Sequence, residues 1–394
     1  MMNAEPIPMS SPDITNVERE AVAAVLRTPN LSMGSEIEAM ESGIREYLGC
    51  KHAIAVNSGT AGLHLCVRAA GIGAGDLVLT TPFSFVASTN VLLFERAVPI
   101  FLDVDPVTGN LDPSLVQQAA WDLSQGGSPA AEWLPRKFPD SLAVLKAILP
   151  VDVFGQPADM DAILPTAQEF GLKVIEDSCE ALGAEYKGRK AGLLGDYGVF
   201  GFYPNKQITT GEGGIIVTED DQDAALMRAL RNQGRAPGDT WLQHTHLGYN
   251  YRLDEMSAAL GRVQLSRLDE MIAKRAAVAA MYLEQLDALS EVECLSISPN
   301  TTRQSWFVFV VRFAAHIDRD HIAMELIKNG IPARPYFTPI HLQPYMVERF
   351  DYKPGDFPVT EDLGRRSLAL PFSSMMSGNQ VERVCATLSS ILAE

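Results

Sequence analysis

The segment Tyr203-Pro204-Asn205-Lys206-Gln207-Ile208-Thr209-Thr210-Gly211-Glu212-Gly213-Gly214 sets a lysine in a Gly- and Thr-rich turn between two apolar runs, Gly198–Phe202 and Gly214–Thr218. A solvated helix face does not account for a lysine in such a place. Burying an amine favours its neutral form, which attacks carbonyls and forms imines. Three more features sit at or just past the end of an apolar run, where parallel α/β sheets build their sites. Asn57-Ser58-Gly59-Thr60-Ala61-Gly62 follows Ala53–Asn57 and precedes the helical stretch Leu63–Ala70. Free N–H groups at a helix start hold a phosphate and small residues admit it, although a plain strand-to-helix turn with a Ser or Thr cap reads the same way. Phe85, in PFSFVAS after Leu77–Thr81, could lie against a planar ring or fill core. Asp177 ends Leu172–Asp177, where a carboxylate points into a cleft and stays ionised opposite a cation, or else caps a following helix.

Those residues need a scaffold. The runs Ala53–Asn57, Leu77–Thr81, Val98–Asp103, Ala147–Val153, Leu172–Asp177, Gly198–Phe202 and Gly214–Thr218 read as short strands, several separated by stretches able to form helices. That alternation predicts an α/β architecture with a mostly parallel sheet covered on both faces. Val17–Arg27 and Glu36–Leu48 carry helical periodicity ahead of it. Near Tyr249 the pattern changes. Asp254–Asp269 and Lys274–Leu289 read as long helices, Trp306–Phe313 as a strand, and Arg319–Asn329 and Asn379–Leu392 as helices. Two domains are expected: residues 1–250 as an N-terminal segment with the large domain, and 251–394 as a smaller α+β domain. The Gly-, Pro- and Ser-rich stretch Trp121–Ser141 interrupts the alternation and reads as a surface insertion, a neutral loop by default with a lid or an interface as the alternatives.

Composition bounds the partners. Of 394 residues, 46% are hydrophobic and 21% charged, which supplies a sizeable core. A formal charge of −17 with no basic patch argues against nucleic acid as a partner. Cys50, Cys66, Cys179, Cys294 and Cys385 are odd in number and contain no CxxC, which fits reduced thiols in the cytoplasm rather than disulfides or structural zinc. The start MMNAEPIPMSSPDIT has no signal-peptide pattern, and no apolar run is long enough for a membrane span.

Taken together, the lysine, the carboxylate, the phosphate cradle and the ring clamp are the parts that pyridoxal 5′-phosphate needs. With these stretches in hand (NSGTAGLHL, TTPFSFVASTN, PVDVFGQPADMD, KVIEDSCEALGAEYKGRKAG, FYPNKQITTGEGG and GYNYRLDEMSAALGRVQL) the chain resembles the sugar aminotransferases of the DegT/DnrJ/EryC1/StrS group. The resemblance runs from about Ile7 onward. It implies the fold type I, aspartate aminotransferase-like architecture, with a large, mostly parallel seven-stranded sheet domain and a smaller C-terminal α+β domain. It implies that Lys206 forms the imine and shuttles the proton, that Asp177 binds the pyridinium nitrogen, and that Glu180 sits near the ring hydroxyl. Phe85 would stack on the ring, and Gly59 and Thr60 would hold the phosphate. Asn250, in GYNYR, would reach the phosphate of a neighbouring subunit, which implies a homodimer with shared active sites.

The implied reaction moves an amino group from L-glutamate to a keto carbon, C4 or C3, of a nucleotide-linked deoxysugar. The stretches EDSCEALG and PNKQITTGEGG resemble those of perosamine-type C4 transaminases. Related sugar dehydratases carry His in place of the lysine, so Lys206 speaks against that chemistry, and the retained Lys206, Asp177 and Asn250 speak against a non-catalytic sensor. The chain departs from many relatives at Gly201, five residues before the lysine, where they carry a phosphate-binding Ser. Arg235, Arg252 and Arg334 are candidates to hold an anionic diphosphate, with surface salt bridges as the alternative. Tyr336 and His341 fall where the group lines its sugar pocket, and a structural role is an equal alternative. His244 and His246 form an HxH with no third ligand in view, so no metal is expected.

Overall fold

A computed structural model describes residues 6–138, 143–236 and 238–393. Seven strands form one sheet: β1 (His52–Val56), β2 (Leu77–Thr80), β3 (Val98–Phe101), β4 (Leu145–Leu149), β5 (Lys173–Asp177), β6 (Tyr197–Gly201) and β7 (Gly214–Thr218). Their spatial order is β1-β7-β6-β5-β4-β2-β3. The pairings from β3 through β2, β4 and β5 to β6 are parallel, whereas β7 runs antiparallel to both β6 and β1. The β6–β7 connection contains no crossover helix, so the chain returns antiparallel. Every residue of β6 and β7 is buried, the expected state of strands covered on both faces.

Helix Gly59–Ala69 begins where β1 ends. Ser58 caps it by accepting the Ala61 N–H at 3.0 Å. Gly62 lets the helix lie close on the sheet, since a Cβ there would stand 2.7 Å from Val199 Cγ1. A smaller antiparallel sheet pairs Val292–Cys294, Phe309–Phe313, Ser367–Leu370 and Arg334–Pro335 in that order. Its core includes Val278, Tyr282, Phe309, Leu326 and Leu388, together with Ile7 from the start of the chain. Apolar residues beyond position 250, among them Leu253, Leu265 and Ile272, share a core with Phe200 and Ile215 of the large sheet.

Three expectations are corrected. The paired helices after Tyr249 span Glu255–Ser266 and Leu268–Leu286, so the break falls at Arg267. The strand expected from Trp306 begins only at Phe309, because Trp306 takes a left-handed φ of 53° that regular strands exclude. The stretch Trp121–Ser141 is not a loop over its described part. Helix Pro113–Gln125 continues into it and Gly127–Trp133 forms a second helix, with Trp133 Nε1 donating to Asp122 Oδ2 at 2.9 Å. Trp133, Leu134 and Phe138 pack against the core beside β3, while positions 139–142 lie outside the described residues.

Candidate active site

The C-terminal end of β5, the start of helix Gly59–Ala69 and the β6–β7 turn open into one cavity of about 610 Å³. Gly59, Thr60, Phe85, Asp177, Glu180 and Lys206 all line it. The Thr-rich turn is built from its own hydroxyls. Thr209 Oγ1 donates to the Phe202 carbonyl at 3.0 Å and Thr210 Oγ1 to the Glu212 carbonyl at 2.7 Å. The Phe202 N–H donates to the Gly213 carbonyl at 2.9 Å, closing the base of the turn and aiming Lys206 inward.

Lys206 is 14% exposed, and its Nζ stands 3.6 Å from Glu180 Oε1. The same Nζ lies 3.8 Å from the centroid of the Phe307 ring. A carboxylate and an aromatic face therefore hold the amine from two sides. Burial pushes the Glu180 carboxyl above its ordinary range, and Lys206 and the Phe154 N–H, which donates at 2.9 Å, oppose that rise.

Strand alternation sends the carboxylates of Glu176 and Asp177 to opposite sides. Glu176 accepts the N–H groups of Gly192 and Leu194, at 3.0 and 2.5 Å, and so fixes the loop ahead of β6. Asp177 faces the cavity. No helix follows it, so it is not a helix cap: its Oδ1 accepts the Cys179 N–H at 3.2 Å and the chain turns sharply. Glu180 accordingly reaches the cavity from a turn. Behind Asp177 lies Asp152, a buried carboxyl that sequence reading did not single out. It accepts from Ser178 Oγ at 2.6 Å and from the Ala158 N–H at 2.9 Å, and burial pushes it up.

At the cradle, the N–H groups of Gly59 and Thr60 belong to the first helical turn, where no intrahelical acceptor exists. A Cβ on Gly59 would stand 2.7 Å from Cys179 Sγ, so only glycine lets the helix start sit this close to the Asp177 turn. Phe85 is 63% exposed at the cavity mouth.

The remaining candidates lie elsewhere, except Tyr336, which lines the cavity. His341 is fully buried outside it, with Nε2 2.9 Å from Glu361 Oε1 and its ring against Phe357. That placement is structural and corrects its assignment to a sugar pocket. Arg252 donates to Asn232 Oδ1 at 2.8 Å and Gln233 Oε1 at 2.6 Å, away from the cavity. Arg334 is exposed on an edge strand, one residue before the lining begins at Pro335. Arg235 stacks 5.4 Å from the Trp241 ring centroid. Asn250 is exposed, and its carbonyl accepts from Asn57 Nδ2 at 3.3 Å, next to the cradle. His244 Nδ1 lies 2.8 Å from the Gln233 carbonyl, and no group of three His, Cys, Asp or Glu among the described residues is set to hold a metal.

Phe307 and Asp152 were missed for a common reason. One lies in an apolar run and the other beside a strand end, and neither position carries a periodic signal.

The pattern of the DegT/DnrJ/EryC1/StrS aminotransferase family matches residues 12–389. A protein named GDP-perosamine synthase from Caulobacter vibrioides is 36% identical over 389 residues, covering 98% of both chains. A second GDP-perosamine synthase, from Escherichia coli O157:H7, is 31% identical and covers 98% of this chain and 99% of its own. Among solved structures, S. venezuelae DesV in complex with a ketimine intermediate superposes with a TM-score of 0.86 at 31% identity, covering 99% of each chain.

Proposed function

Because the chain belongs to the DegT/DnrJ/EryC1/StrS aminotransferase family, we propose that it is a pyridoxal 5′-phosphate-dependent transaminase acting on a nucleotide-linked deoxysugar. L-glutamate is the amino donor in this reading, and the acceptor is the sugar's keto carbon, C4 in preference to C3. The names of the two relatives favour a GDP-linked acceptor. The observation that carries the proposal is that Lys206, Asp177 and the open N–H groups of Gly59 and Thr60 converge on one cavity. A planar, phosphorylated pyridine aldehyde needs that donor set and no metal.

When bound, the cofactor supplies an electron sink and carries the amino group between the donor and acceptor half-reactions. Lys206 Nζ would hold the cofactor covalently and would be the group that carries the proton during the transfer. Asp177 would hold the ring nitrogen in its positive form, since a nearby opposite charge favours the charged state. Gly59 and Thr60 hold the phosphate through backbone N–H groups and the helix dipole. Phe85 would pack against the cofactor ring, and Glu180, 3.6 Å from Lys206 Nζ, would orient the amine.

The enzyme acts as a homodimer in which Asn250 of each subunit completes the site of the other. The exposure of Asn250 supports this assignment. No helix among the described residues is long and apolar enough to cross a membrane, and the proposed compartment is the cytoplasm.

The test is Lys206→Ala. The variant is expected to keep the melting profile of the parent, to lose the visible band of lysine-bound cofactor, and to lose glutamate-dependent amination by at least about a hundredfold. Full activity in that variant would overturn the assignment.

A further inference from the structure

Arg275 lies on helix Leu268–Leu286 and is 2% exposed. Among the described residues no carboxylate pairs with it. Its terminal nitrogens are spent on backbone carbonyls instead. One donates to Asn205 and Lys206 at 3.2 and 2.7 Å, the other to Trp306 and Phe307 at 3.1 and 3.2 Å. Burial pulls the guanidinium down to about 10, and its Nε has no partner. Burying a cation without a counter-charge costs more than an apolar side chain of similar size would, so packing alone does not explain the residue.

The acceptors explain it. Two belong to the turn that carries Lys206 and two to the segment that carries Phe307, whose ring faces Lys206 Nζ at 3.8 Å. Successive carbonyls of a regular strand point in opposite directions. The left-handed φ of Trp306 breaks that rule, and one Arg275 nitrogen takes both the Trp306 and the Phe307 carbonyls. The planar fork of a guanidinium spans such an arrangement, whereas a single ammonium cannot.

We infer that Arg275 is a positioning residue for Lys206, bolting the lysine turn to the Phe307 segment so that the amine is held against the ring and Glu180. This rests on the reading of Lys206 as the cofactor-bonding lysine. Losing the bolt frees the two segments to separate, and a misplacement of about 1 Å at a reacting group is costly.

The experiment compares holoenzyme carrying Arg275→Met, Arg275→Lys or Arg319→Met with the parent. Arg319 also grips backbone carbonyls, those of Gly364 and Ser367, but at the small sheet. Readouts are borohydride fixation of the cofactor to Lys206 by mass, the pH midpoint of the visible band, and the kcat and KM for L-glutamate. For Arg275→Met the midpoint is expected to rise by roughly one pH unit, because a buried positive charge is removed. Its kcat is expected to fall roughly ten- to a hundredfold, with KM within about twofold. Arg275→Lys keeps the charge and the midpoint but loses kcat by about tenfold. Arg319→Met lowers only the melting temperature. If Arg275→Met does not fold, Arg275→Lys decides. Parental kcat in the Arg275 variants, or a loss that Arg319→Met matches, overturns the inference. Failure of borohydride to mark Lys206 in the parent would instead remove the reading beneath it.

Discussion

The Glu180 carboxylate and the Lys206 amine lie 3.6 Å apart, with the other oxygen of Glu180 fixed at 2.9 Å by the Phe154 N–H. One buried side chain thus serves both the amine and a backbone donor. Glu180→Gln keeps an oxygen for Phe154, whereas Glu180→Ala leaves that N–H unsatisfied. The alanine variant is expected to lose about 1–3 kcal/mol in urea unfolding and the glutamine variant under about 1 kcal/mol. Equal losses in the two would show that the Phe154 bond contributes nothing.

At Gly201 the chain lacks the hydroxyl that the family resemblance leads one to expect near the phosphate. The three atoms nearest a Cβ there all belong to Cys179, with Cβ at 3.4 Å, Sγ at 3.6 Å and the carbonyl oxygen at 3.8 Å, which are ordinary contacts. Gly201→Ser therefore fits without rearrangement and adds a donor to a charged acceptor. Cofactor affinity, measured by fluorescence titration of apoenzyme, is expected to tighten roughly tenfold. An unchanged or weaker affinity would place the phosphate away from position 201.

The N-terminal segment is fastened by charge. Arg267 donates to Glu18 Oε1 at 2.8 Å and to Asp13 Oδ1 at 2.9 Å, and Lys274 reaches Asp13 Oδ2 at 3.0 Å. Burial alone would raise Glu18, but hydrogen bonds from Thr15, Arg267 and Gln264 outweigh it and bring the carboxyl from 4.5 to about 2. A depressed carboxyl stabilises the fold above its unfolded value, and that contribution is lost as pH falls through the folded one. The urea midpoint should therefore drop between about pH 4.5 and 2, and Glu18→Gln should flatten that part of the profile. Arg267→Met, which strands the buried Glu18 carboxylate and leaves Asp13 with Lys274 alone, is expected to cost about 3 kcal/mol at neutral pH.

Much of the sheet and the reactive core of the site were readable because their signals are local. Strands buried on both faces leave unbroken apolar runs, and Lys206 and Asp177 break the pattern at strand ends. What escaped depends on packing. Phe307 sits in WFVFVVRF, where apolar content reads as strand, and only the left-handed φ of Trp306 turns its ring to the amine. Arg275 lies in a helix whose charged residues are expected to face water. His341 follows the lining residue Thr338 closely, but the short helix Ile340–Leu342 takes it into the core. The Gly- and Pro-rich stretch after Trp121 misled because Pro129 sits in the first turn of helix Gly127–Trp133, where its missing N–H costs nothing.

The proposed sharing of sites between subunits makes a prediction that no single variant can imitate. On the proposed reading, Lys206→Ala removes the reacting amine of a subunit's own site, whereas Asn250→Ala removes a group that serves the partner's site. Each homodimer is then impaired at both sites. In a heterodimer of the two, one site carries both defects, and the other combines an intact Lys206 with an intact Asn250 from across the interface. Random exchange in an equimolar mixture makes half the dimers mixed, each with one good site of two, so activity should recover to about a quarter of the parental value. Recovery is read by refolding the two inactive proteins together and assaying glutamate-dependent amination. Activity no greater than the average of the separate proteins would show that Asn250 works within its own subunit.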